Sequence, residues 1–147
     1  MTSSTVDPYR LERFVQAQQQ DYAAALAEVK SGRKRSHWMW YVFPQIKGLG
    51  SSPTSELYAI QDASEAKAYL SHPVLGPRLI EITEALLNVD GRTARDIFGT
   101  PDDLKLKSCA TLFASLSPPG SVFEKVLAKY FNAEPDAETL RRLRRSS

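Results

Sequence analysis

At 147 residues, 42% of them hydrophobic and 24% charged, the chain is long enough to bury a core of its own, and its composition is not that of a disordered protein. A net charge of +2 argues against a strongly basic nucleic-acid binder, and no apolar run approaches the 18 residues of a membrane span, so neither a nucleic-acid nor a membrane partner is expected. A single cysteine, Cys109, excludes an internal disulfide, and two histidines without ligand spacing argue against a metal site.

The first residues, "MTSSTVDPYR", lack the basic and apolar regions of a secretory leader; with the lone thiol, this points to a cytoplasmic location. Leu11, Phe14, Val15, Gln18, Tyr22, Leu26 and Val29 then recur at helical spacing. They predict one helix, or two with a break near Gln19 and Asp21 as the second cap, closed at Gly32. A basic run follows (Lys30, Arg33, Lys34, Arg35), and then "SHWMWYVF", residues 36–43, which holds both tryptophans. Ser36 as cap and Pro44 as stop make this a short helix, although a short aromatic run also suits a strand.

"IKGLGSSPTS" reads as a loop and Asp62 as the opening of the helix "ASEAKAYLS". Leu75, Leu79, Ile82, Leu86 and Val89 form the clearest helical stripe, stopped at Gly91. Thr93 caps "ARDIFG". Thr100 caps the next helix, with Asp102 and Asp103 in its first turn and an apolar face of Leu106, Cys109, Ala110 and Phe113. "SVFEKVLAKYF" is amphipathic. "DAETLRRLRR" ends the chain, and its Arg141, Arg142, Arg144 and Arg145 suit the negative end of a helix dipole. The fold expected is one all-α domain over residues 1–147, with about seven to nine short helices and neither repeats nor an interior linker.

The segments "RFVQAQ", "GRKRSHWMWYVFPQIKGLGSS", "YAI", "EAKAYL", "HPVLGPRLIE", "IFGTPDDLKLKSCATLF" and "KYF" resemble the family known as domain of unknown function 1810, from about Tyr9 to Leu143. The resemblance implies an all-helical fold and no particular activity. The label calpastatin-like, sometimes given to such chains, does not suit a sequence without repeats or disordered composition.

Five residues are expected to line a site. On a helix Trp38 and Trp40 point about 160° apart, so only one can face a given cleft; Trp40 shares a side with His37. Histidine is the residue type whose ordinary range suits acid–base work or anion binding near neutral pH, which makes His37 a candidate, or it can simply bond to backbone at a helix start. Gln45 follows Pro44, where its amide can turn toward a cavity. Lys105 and Ser108 begin a polar stripe continued by Thr111 and Ser115, which is either a hydrogen-bonding wall or a surface for close helix approach. His72 reads as a helix-entry residue and Cys109 as an inert core thiol. Free N–H groups at Ser36, beside Lys34 and Arg35, could take a phosphate, or the run is a solvated loop. Arg78, Glu81 and Glu84 lie on a polar helix face, where a carboxylate pair could do acid–base work. "GLGSS" lacks the GKS or GKT of a phosphate loop, no GxGxxG is present, and so no cofactor is expected.

Three functions remain open from the sequence. One is a binding domain for a small anionic or nucleotide-like ligand in a cleft of His37, Trp40, Gln45, Lys105 and Ser108. The others are a small-molecule hydrolase using His37 or a carboxylate, and a module whose basic surface meets a protein or RNA.

Overall fold

The computed structural model describes residues 6–146; the first five residues, part of the stretch read as lacking a leader, lie outside it. Among the described residues the chain is all-helical: α1 Glu12–Lys30, α2 Met39–Val42, α3 Pro53–Leu57, α4 Ala63–Ser71, α5 Leu75–Leu87, α6 Ala94–Phe98, α7 Asp102–Ala114, α8 Val122–Phe131 and α9 Ala137–Ser146. No strand forms among the described residues; one isolated parallel bridge joins Ile46 to Ile60. None of these helices is long and apolar enough to cross a membrane.

Local chemistry sets most of the boundaries. Asp62 accepts from the Glu65 N–H at the start of α4, Ser121 from Glu124 at the start of α8, and Thr93 and Asp96 close a reciprocal capping box on α6. His72 enters α5 as expected: its Nδ1 accepts from Val74 and Leu75 N–H at 3.1 and 3.2 Å. Of the two alternatives left open for the first segment, one helix is the outcome: α1 runs unbroken through Gln19, and Asp21 accepts the Tyr41 hydroxyl rather than capping a second helix. Three expectations need correction. The "SSPTS" segment is not all loop: Ser52 caps α3, with Pro53 in its first turn, where a missing N–H costs nothing. Thr100 does not cap α7, which starts after Pro101; its hydroxyl bonds to Asp103. Ser36 does not cap α2, whose N-cap is Trp38.

α5 is the centre of the packing, in contact with α1, α4 and α8, while α7 packs on α6, α8 and α9. Leu75, Leu79, Ile82 and Leu86 are all buried, as their spacing requires. Rings run through the core: Phe14 to Tyr69 at 5.1 Å, Tyr69 to Phe113 at 5.6 Å, and Phe113 to Phe123 at 5.6 Å. Cys109 lies in this core, and burial pushes its thiol well above the ordinary value. The polar face of α5 is tied to α1, since the Tyr22 hydroxyl donates to Glu81 at 2.5 Å and the Arg78 guanidinium lies over the Tyr22 ring. Those side chains act as struts.

Candidate functional site

The basic run before the tryptophans is organised by one carboxylate. Glu28, near the end of α1, accepts from the N–H groups of Arg35 and Ser36, the Ser36 hydroxyl and the Trp38 indole N–H, at 2.7 to 3.1 Å. Partial burial pushes its carboxyl up, but the four donors outweigh this and lower it to about 2. The N–H groups that could have met a phosphate are therefore already taken by an internal anion. Lys34 turns inward, 3.0 Å from Asp102 and over the Trp38 ring. Trp38 itself is buried against Phe43 and Phe98, with ring centroids 6.1 and 6.3 Å away.

Two residues on, Trp40 faces a different environment. It is half-buried and lines a cleft of about 470 Å³ between the loop after Pro44 and the start of α7. The size is that of a small-molecule site. Gln45, Lys105 and Ser108 line the same cleft, which joins four of the five residues expected from sequence. Its apolar wall is Trp40, Leu49, Pro101 and Leu104, the last 56% exposed. Lys105 lies 4.3 Å from the Trp40 centroid and 2.9 Å from Asp102. Partial burial raises the Asp102 carboxyl, yet Lys105 and Lys34 hold it below the ordinary range. With two lysines on one carboxylate, the triad keeps a net positive charge.

The floor is less well satisfied. Gln45 is 4% exposed, held by the bond from Ile60 N–H to its carbonyl, and its Nε2 is buried with no hydrogen-bond partner among the described residues. A buried donor left without a partner costs on the order of 1–3 kcal/mol. Ser108 donates to Leu104 carbonyl and, at 3.5 Å, to Asp136. Asp136 is otherwise occupied in capping α9 through Thr139, and Glu138 pairs with Arg141 and Arg142.

A family model described as "Protein of unknown function (DUF1810)" matches residues 8–143. The chain belongs to this family. It is 49% identical to the conserved hypothetical protein Rv1873 from Mycobacterium tuberculosis, whose crystal structure it matches with a TM-score of 0.92 over 94% of this chain and 99% of that one. A search of curated proteins finds no match. Membership confirms the family and the all-helical fold, and neither description names a ligand or reaction.

His37 is the member of the expected set that does not join the site. α2 begins only at Met39, so His37 and Trp40 do not share a helical face; the His37 side chain is exposed, and its carbonyl accepts from Tyr41. The polar stripe of α7 divides. Lys105 and Ser108 face the cleft, whereas Thr111 is buried and accepts the Asp136 N–H at 2.8 Å, docking α9. Sequence reading missed Glu28, Leu104, Asp136 and the Gly50–Ser52 edge. Gly50 carried a signal: an added Cβ would lie 2.7 Å from both Trp40 and Ser55, so the cleft wall needs glycine for space.

Proposed function

We propose that this chain is a binding domain for a small anionic or nucleotide-like ligand seated in the cleft of Trp40, Gln45, Lys105 and Ser108. The observation that carries the reading is the buried, unpartnered Gln45 Nε2, which a ligand oxygen would meet once the amide turns into the cleft. Around it the cleft is rich in donors. Lys105 offers an ammonium, and the N–H groups of Leu49, Gly50, Ser51 and Ser52 have no partner among the described residues. Trp40, Leu49 and Leu104 give a flat or apolar ligand part a surface to cover. A hydrolase acting through His37 has less support, since no carboxylate among the described residues bonds to that ring.

The test is a titration with 5′-AMP and adenosine, followed by tryptophan fluorescence. At least one is expected to saturate, with the signal removed by Trp40→Phe and affinity lowered by about tenfold in Gln45→Met. No saturation with either probe at millimolar concentration, or equal affinity in Gln45→Met, would contradict it.

A further inference from the structure

A second concavity, of about 200 Å³, is lined by Ile46, Lys47, Gln61, Arg142 and Arg145, and shares no lining residue with the cleft. Three of its five residues are cations and none is an acid. Arg145 alone would need no explanation, because the last turn of a helix favours positive charge. Lys47 is different. It is remote in sequence from α9 and is brought there by the bond from its N–H to the Ile60 carbonyl at 2.8 Å. Neither Lys47 nor Arg145 has an ion-pair partner among the described residues. Both side chains are exposed, and like charges gathered from two segments repel one another; an anion between them would relieve that repulsion.

Arg142 is positioned by Glu138 and Gly48. Its Nε lies 2.8 Å from a Glu138 carboxylate oxygen, an ion pair without hydrogen-bond geometry, and Glu138 also pairs with Arg141. Its guanidinium rests on Gly48, where an added Cβ would lie 2.0 Å from Nη1, and Gly48 has φ +92°. The left-handed backbone therefore favours glycine at this point, and the guanidinium packs on its bare Cα. An arginine set against a glycine turn, with a lysine and a second arginine beside it, matches the donors that surround phosphate oxygens.

We propose that this niche binds a phosphoryl group, either free or carried as a monoester by a small molecule. It does not rest on the cleft reading, because a phosphate without a ring should occupy it. The experiment is isothermal titration at low salt with inorganic pyrophosphate for the free anion and glycerol 3-phosphate for the monoester. One or both should saturate a single site. Lys47→Ala and Arg145→Ala should each weaken that binding by about threefold to tenfold. Gly48→Ala should weaken it without any change in charge. Lys125→Ala, the same charge change at an exposed position on α8, should leave it intact. The proposal is overturned if neither anion saturates, if the Lys47 and Arg145 variants bind as the parent does, or if Lys125→Ala weakens binding as much as they do.

Discussion

Trp38 and Trp40 stand two residues apart, and each has a lysine ammonium over its ring, Lys34 at 5.2 Å and Lys105 at 4.3 Å. Around Trp38 the polar groups have partners. The indole N–H bonds to Glu28, Lys34 pairs with Asp102, and Phe43 and Phe98 close the ring contacts. Around Trp40 the ring is half-exposed, Leu104 stands open to solvent and the Gln45 amide nitrogen is buried without a partner. The same residue types thus make a finished core on one side of the segment and an unfinished cavity on the other. Aromatic richness alone does not separate the two sides; the unsatisfied polar group beside Trp40 does.

The contrast predicts where substitutions cost stability and where they cost something else. The largest effect belongs to Trp38→Ala, which should lose about 3–5 kcal/mol in urea unfolding, because the cavity opens in a packed cluster. Retention of near-parental stability would show that the Trp38 side is not the core described here. Gly50→Ala comes next, at about 1–3 kcal/mol. The new Cβ must displace Trp40 or Ser55, so a shifted Trp40 emission should accompany the loss, and an unchanged spectrum would break the link between the loop and the cleft wall.

Glu28→Gln should cost about 1 kcal/mol at neutral pH, a figure discounted for solvent screening. The sign of its pH dependence follows from a carboxyl that titrates lower in the folded chain, about 2, than its ordinary 4.5. Its contribution is present above about pH 4.5 and fades as pH falls toward 2. The stability gap between parent and variant should close over that window. A gap that persists at pH 2 would mean that Glu28 does not hold the Arg35–Trp38 segment through its charge.

Much of the fold was legible because capping and periodicity are local. Asp62, Thr93 and the Leu75–Leu86 stripe act over three or four residues, and they placed α4, α6 and α5 well. The choice between one helix and two for α1 stayed open, since the hydroxyl that engages Asp21 comes from Tyr41 on another segment. The fate of the basic run was hidden for the same reason, because Glu28 comes from the end of α1. Of the candidate site, Lys105 and Ser108 could be anticipated from the spacing along α7 and Gln45 from the Pro44 turn, whereas Trp40 followed from a helical face shared with His37 that does not form. His37 could not be placed by that reasoning, which assumed a helix already formed at residue 37, whereas α2 starts at Met39.

The smallest expected change in stability carries the most weight. Gln45→Met keeps length and volume but removes the buried, unpartnered amide. If that nitrogen waits for a ligand, chemical denaturation of the ligand-free protein should show equal stability or a gain of up to about 1 kcal/mol, since an unsatisfied buried donor is a liability until bound. A loss of more than about 1.5 kcal/mol would show that the amide supports the fold, and would contradict the cleft as a binding site built around Gln45.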